Sequence, residues 1–286
     1  MAIIYSDENI LFTHTRTLTP NQKGFNLHMH DNFEILCPIS GDATFMAEGR
    51  EYAMPSGCVL LTRPTESHRL MLWSEEPYER YVLNFRAEAL RAYGFDDELL
   101  RAFCEREMGE RNRYLASELG GVYPLALFKR AEEACVGLDE REKRQVVIAN
   151  IAALLCSLAV AHRCGSSADP TWQEDSIGAT LLAFVNEELE NDISVESAAR
   201  HIHMSVSQTE RIFRRITGTS LYDYVLTKRL CRARELILEG LGATEAAERC
   251  GFGDYSSFYR QYKKKMGAAP SQARTMALDR SGGEMA

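Results

Sequence analysis

The stretch from residue 198 to 267 contains one pattern twice. Set against itself at an offset of 49, it places Ser205 on Asp254, Arg211 on Arg260, Phe213 on Tyr262, Arg214 on Lys263 and Gly218 on Gly267. The paired alanines upstream, Ala198-Ala199 and Ala246-Ala247, match at an offset of 48, so one residue is inserted between. Such a period means one small supersecondary unit made twice. Each copy reads as a short helix with paired alanines, a turn, and a capped helix bearing an aromatic anchor and a basic flank. The first copy spans 195–201, turns around His203 and Met204 and is capped by Ser205; the second spans 244–250, turns through Gly251, Phe252 and Gly253 and is capped by Asp254. A small residue facing its partner, here Ala199 or Ala247, and a tight turn let two helices cross steeply, which defines a helix-turn-helix.

The second helix of each copy sorts its side chains by face. Ile212, Phe213 and Ile216, and likewise Phe258, Tyr262 and Met266, form apolar stripes. Ser207, Gln208, Glu210 and Arg211, and in the other copy Tyr255, Ser256, Ser257 and Arg260, are left facing outward near the amino-terminal end. Those side chains can donate to or accept from base edges, and that end of a recognition helix is the one that reaches them. Arg214 and Arg215, with Lys263, Lys264 and Lys265, follow as phosphate-positioning candidates. Either cluster alone would read as solvated charge on a helix face; the same layout twice at a fixed interval argues against that.

Between the copies lies an expected helix over 221–239, opened by Ser220 with Asp223 three residues on and ended by Gly240. Nineteen residues at about 1.5 Å each give about 28 Å, close to the 34–36 Å turn of B-DNA, so one helix can set two recognition helices into successive major grooves. Tyr224, Leu230, Ala233, Leu236 and Ile237 form its packing stripe, and Arg229 and Arg232 are candidate phosphate neighbours or solvated surface residues.

Segment 176–274 resembles the DNA-binding domain of the AraC/XylS family of bacterial transcription regulators. The match lies in HMSVSQTERIFRRITGTSLYDYVLTKRL, in ARELI, and above all in GFGDYSSFYRQYKKKMGAAPSQAR, which follows a long family signature. One departure is Thr209, where the family usually places a large apolar residue. The resemblance implies two helix-turn-helix subdomains, with base contacts at Ser207, Glu210 and Arg211 and at Tyr255, Ser256 and Arg260. Phosphate contacts are expected at Ser205, Arg214, Arg215, Lys263 and Lys264. It further implies RNA polymerase as a partner and activation rather than repression.

The whole-chain balance of 33 basic against 41 acidic residues, a net of −8, runs against nucleic acid until the chain is divided. Residues 1–175 carry a net −9, whereas 176–274 carry +2. Eight cysteines include no C-x-x-C pair, which leaves zinc fingers, redox motifs and disulfide frameworks without support. Asp7 and Glu8 interrupt the opening apolar residues where a signal peptide needs continuity, so a cytoplasmic location is expected. The charge-free run 145–161 is shorter than the roughly 20 apolar residues of a membrane span, so no membrane is expected.

Residues 1–85 alternate β-rich pieces with turn signals (FEILCPI, SGD, ATFMAEGREYAM, PSG, CVLLT, RPTES, HRLMLW, YERYVLNF), the texture of a small antiparallel barrel or sandwich. From Arg86 helix formers dominate: Asp96 or Asp97 opens a helix to about Glu118, Pro124 starts another, and Asp139 with Glu142 caps a third reaching about Arg163. Val147, Ile151, Leu154, Leu155 and Leu158 repeat on that last helix, for packing on the barrel or for a dimer interface. The polar stretch 164–175 reads as a linker and 275–286 as a flexible tail.

His28, His30, Glu34 and His68 are the residues of the first half with chemical potential. His-x-His-x-x-x-Glu with a distant His is a metal-ligand pattern, and on a strand His28 and His30 share a face. HMHDNFEILCPISG resembles the first cupin motif, and MPSGCVLLTRPTESH loosely the second, though His68 comes late and no suitable Asn follows. The four residues are open to several roles: lining an effector pocket or making structural hydrogen bonds, holding a sensory metal, forming an enzyme site, or lying on the surface. Arg63, Tyr52 and Glu34 are further candidates for the barrel interior.

The expected protein is α+β with two domains: an N-terminal cupin-like antiparallel β-barrel with accessory helices (1–85, with 86–163 as a dimerising helical connection), and a C-terminal all-α domain of two helix-turn-helix subdomains joined by a long helix. The expected function is a non-enzymatic, cytoplasmic, homodimeric regulator that binds double-stranded DNA and a small-molecule effector and needs no cofactor. The competing expectation is a cupin metalloenzyme, of oxygenase or isomerase type, fused to a DNA-binding domain.

Overall fold

Alternating apolar side chains over the first 85 residues build eight strands. They are β1 (Ala2–Ser6), β2 (Ile10–Thr17), β3 (Phe33–Ser40), β4 (Ala43–Ala47), β5 (Arg50–Ala53), β6 (Val59–Thr62), β7 (His68–Leu72) and β8 (Tyr78–Phe85). A ninth, β9 (Arg113–Tyr114), comes later in the chain. The computed structural model describes residues 1–19, 27–165, 177–191, 193–217, 219–266 and 269–273. It divides into two units, Met1–Asn26 with Asn32–Trp172 and Leu27–Asp31 with Gln173–Ala286. The tail at 275–286 and the linker from 166 onward lie outside the described residues.

In the first unit the strands form a six-stranded antiparallel sheet, ordered β1-β2-β8-β3-β6-β9, and a three-stranded one, β5-β4-β7. The expected barrel is therefore open: among the described residues no strand pairing joins the two sheets. They share a core in which Leu36, Leu60 and Tyr78 of the larger sheet meet Phe45, Tyr52 and Leu70 of the smaller. Pro38, which has no N–H to give a ladder, coincides with the register shift between β3 and β8.

The other face of the six-stranded sheet is covered by helices. These are α1 (Ala87–Arg91), α2 (Arg101–Cys104), α3 (Pro124–Ala134) and α4 (Glu140–Arg163). Pro124 occupies the first turn of α3, and Asp139 and Glu142 form the reciprocal capping box of α4. Val147, Ile151, Leu154, Leu155 and Leu158 are buried against sheet residues such as Phe12 and Leu83. α4 is long and apolar enough to cross a membrane, and half of its most apolar window is buried within the protein.

The expected continuous helix from Asp96 to about Glu118 does not form. A 3-10 turn (Asp97–Leu100), α2, β9 and a second 3-10 turn (Ala116–Glu118) stand in its place. The cause is the fully buried carboxylate of Glu66. It accepts from Arg106 Nη1 and Nη2 at 2.6 and 2.7 Å, from the Gly109 N–H at 2.7 Å and from the Arg63 N–H at 3.1 Å. Gly109 has φ +80°, and a Cβ there would stand 2.7 Å from the Glu48 side chain. Satisfying that carboxylate bends the chain out of helix. Burial alone would raise the Glu66 carboxyl, but Arg106 and the two N–H groups outweigh it and hold the pKa at about 2.

The second unit is helical: α5 (Ile177–Glu187), α6 (Val195–His201), α7 (Val206–Thr217), α8 (Leu221–Glu239), α9 (Ala243–Arg249) and α10 (Tyr255–Met266). It has two cores threaded by one helix. Leu221, Tyr224 and Val225 of α8 pack with Leu181, Ala198 and Phe213, whereas Leu230, Ala233 and Ile237 pack with Ala246, Phe258 and Tyr262. Residues from the first half of the chain take part, since Leu27 packs on the first of these cores and Asp31 pairs with Arg234 of α8 at 3.0 Å.

Candidate nucleic-acid interface

The repeat reappears in the coordinates with the same arithmetic. α6 and α9 begin and end 48 residues apart, and α7 and α10 begin and end 49 apart. The turns match as well: the Met204 N–H donates to Ala199 O at 3.0 Å and the Phe252 N–H to Ala247 O at 3.1 Å. Left-handed backbone falls at His203 (φ 55°) and at Gly251 (φ 74°). The inserted residue is thus Gly253, just before the second cap. Ala199 and Ala247 are both buried, as close helix crossing requires.

Both caps are formed. Ser205 Oγ accepts from the Gln208 N–H at 3.3 Å and donates to Gln208 Oε1 at 2.8 Å, and Asp254 accepts from the Ser256 and Ser257 N–H groups at 3.2 and 2.7 Å. Thr209 is wholly buried, and its hydroxyl donates to Ser205 O at 3.0 Å. The small polar side chain is therefore accommodated where a large apolar one is usual, because its one donor is satisfied within the helix.

With Phe213 and Thr209 turned inward on α7, and Phe258 and Tyr262 on α10, the opposite faces are left to solvent. Ser207, Glu210 and Arg211 are exposed on the first and Tyr255, Ser256 and Arg260 on the second. Ser205, Arg214, Arg215, Lys263 and Lys264 are exposed too, so every DNA-facing candidate is accessible. The face also holds Tyr259, 37% exposed beside Tyr255, with ring centroids 6.4 Å apart. Sequence reasoning passed over Tyr259, although the offset of 49 makes it the counterpart of Glu210.

Arg229 is not displayed in this way, whereas Arg232 is exposed. Arg229 donates to the carbonyls of Leu189, Asn191 and Gly251, and Arg232 pairs with Glu235 at 2.9 Å. The reading of Arg229 as a phosphate neighbour therefore gives way to a role inside the fold.

The four residues singled out in the first half fall in different units. His28 and His30 belong to the unit of 173–286, their rings 6.1 Å apart, and neither lies in a strand, so the expected shared strand face is absent. Glu34 and His68 belong to the other unit, on β3 and β7, both buried. His68 Nδ1 lies 2.9 Å from Glu66 O, so that nitrogen carries the proton, and Nε2 faces Glu34 Oε1 at 3.6 Å. Arg80 lies over the Tyr78 ring at 4.8 Å on the adjoining β8, and burial lowers its pKa. Tyr52 is buried with its hydroxyl donating to Gly109 O, whereas Arg63 donates to Cys104 O at 3.3 Å on an exposed rim.

Residues 16–144 match a family model described as an AraC-like ligand binding domain, and residues 198–276 one described as a helix-turn-helix domain. The chain is 24% identical over 263 residues to the HTH-type transcriptional activator RhaS of Salmonella schwarzengrund, covering 88% of each chain. It is 26% identical over 255 residues to RhaS of Salmonella arizonae, again covering 88% of each. Among solved structures, apo ToxT of Vibrio cholerae aligns at 15% identity over 96% of this chain and 99% of that one, with a TM-score of 0.41.

Proposed function

We propose that this chain is a member of the AraC/XylS family of transcription regulators and that it binds double-stranded DNA by laying α7 and α10 into successive major grooves on one face of the duplex. It is a DNA-binding transcription regulator with an N-terminal ligand-binding domain. The observation that carries the two-groove reading is the doubled unit, with equivalent exposed faces on either side of a 19-residue helix. Ser207, Glu210 and Arg211, with Tyr255, Ser256 and Arg260, read bases; Ser205, Arg214, Arg215, Lys263 and Lys264 hold phosphates.

Selection from a random duplex library followed by footprinting tests this. The expected result is two protected major-groove segments about 10 base pairs apart, and a single protected segment would overturn it. In the first half, Glu34 and His68 belong with Arg80 in a polar interior that receives a small-molecule effector. The similarity to RhaS, a named transcriptional activator, supports activation, and the partner in that activation is RNA polymerase. The protein works in the cytoplasm, as a homodimer through the outward stripe of Ala149, Ala153, Cys156 and Val160 on α4, all exposed. It has no catalytic activity; stoichiometric metal in freshly purified protein, lost with an enzymatic turnover in His68→Ala, would favour the metalloenzyme reading instead.

A further inference from the structure

We infer that Arg229 is a positioning residue that locks the angle between the two helix-turn-helix lobes and thereby sets which spacing of DNA half-sites the chain accepts; this rests on the two-groove reading above. One helix shared by two cores fixes how far apart the lobes stand along its axis, since the packing changes from the first core to the second between Val225 and Leu226. It does not by itself stop either lobe from rocking about that axis, which takes a contact away from it.

Arg229, half-buried one turn beyond that change, supplies such a contact. Its Nε donates to Leu189 O at 2.7 Å and its Nη2 to Asn191 O at 2.5 Å, both in the turn that follows α5 in the first lobe. Its Nη1 donates to Gly251 O at 3.0 Å, in the turn of the second lobe. A planar guanidinium with donors on three edges is thus matched to carbonyls from both lobes, a geometry that a lysine ammonium does not reproduce. The guanidinium thus ties all three turn carbonyls at once.

Gly251 marks the same junction from the other side. A Cβ at 251 would stand 2.6 Å from Glu190 O and 3.1 Å from Arg229 Cζ, so the lobes meet backbone to backbone there. His203, its counterpart in the first lobe, has the same left-handed backbone yet keeps an exposed side chain. Left-handed geometry alone therefore does not require glycine in this turn; the approach of the other lobe does. Ser257 and Gln261 of α10 and Glu210 of α7 line the groove of about 680 Å³ beside this junction, so a change in lobe angle is transmitted directly to both recognition helices.

The test uses the full chain and a duplex selected from random sequence by the wild-type protein, with variants in which base pairs are added or removed between the half-sites and one carrying a single half-site. Arg229→Ala is expected to bind the selected duplex about 10-fold more weakly, to lose most of the wild-type preference among spacings, and to bind the single half-site unchanged. Gly251→Ala is expected to flatten the spacing preference in the same way, and Arg229→Lys not to rescue it. Helical circular dichroism and melting establish folding; where Arg229→Ala does not fold, Arg229→Gln carries the same comparison. A sharp spacing preference retained by the folded variant overturns the inference, as does an equal loss on single and paired half-sites, which marks a merely structural role. Failure of the wild-type chain to select any duplex overturns the two-groove reading itself, and a selected duplex with only one half-site does the same.

Discussion

Arg260 sits exposed midway along α10, and among the described residues no carboxylate forms an ion pair with its guanidinium. Arg260→Ala is expected to cost about 1–3 kcal/mol on the specific duplex and to relax preference at one position, measured by titration against a panel of base substitutions. Unchanged affinity on every duplex would remove Arg260 from the base-reading set. Glu66 is the opposite kind of residue, with no exposure and four donors. Glu66→Gln leaves Arg106 charged and buried without its counter-ion, and unfolding by denaturant is expected to show a loss of about 3–5 kcal/mol in the first unit. Because the folded carboxyl is depressed to about 2 from its ordinary 4.5, its stabilisation is complete above pH 4.5 and is lost as pH falls from there toward 2. Melting of the first unit followed across that window should show the decline, and Glu66→Gln should lack it. Tyr259 and Arg229 show where residue-level reading of sequence ends. The first was legible in the repeat and overlooked, whereas the second turns inward to carbonyls that only the folded chain brings together.

Helices with both a start signal and a period were legible: the Asp139 cap, Pro124 at the head of α3, and Ser220 with Gly240 bounding α8 all stand where their chemistry places them. β1 and β2 were not singled out, because IIYS and ILFTHT lie in a stretch read for a targeting signal rather than for alternation. The failed element, 96–118, had a good cap and good helix formers and lost to a long-range event, the demand of Glu66 for Arg106 and Gly109. Whether strands close into a barrel is equally a non-local matter, and the motif resemblance in the first half carried no information on it. The paired alanines are where local pattern and packing agree most closely. Ala247→Leu forces three extra heavy atoms into a buried helix crossing, and is expected to cost about 1–3 kcal/mol, read as a lowered denaturant midpoint with unchanged slope.

On the scale of the whole chain, a net charge of −8 hides a second half that is slightly positive, and only four of its cations are placed as phosphate contacts. With Arg214, Arg215, Lys263 and Lys264 all engaged, the plot of log affinity against log salt for one bound chain is expected to have a slope of about −4, and Lys264→Ala to flatten it by about 1. A slope unchanged by that substitution would take Lys264 out of the interface. The unit that carries these cations is also assembled from two separate pieces of polypeptide, because Leu27–Asp31 belongs to it and Asp31 pairs with Arg234, each side chain only about a tenth exposed. Such regulators invite the idea of interchangeable cassettes, one sensor spliced to another reader at the connecting stretch. Here that splice would carry away the counter-ion of Arg234. A chimera joining a foreign first half to residues 173–286 inherits an arginine without its acid, and needs either an aspartate grafted at the matching position or a neutral residue at 234 before the reader regains its native stability.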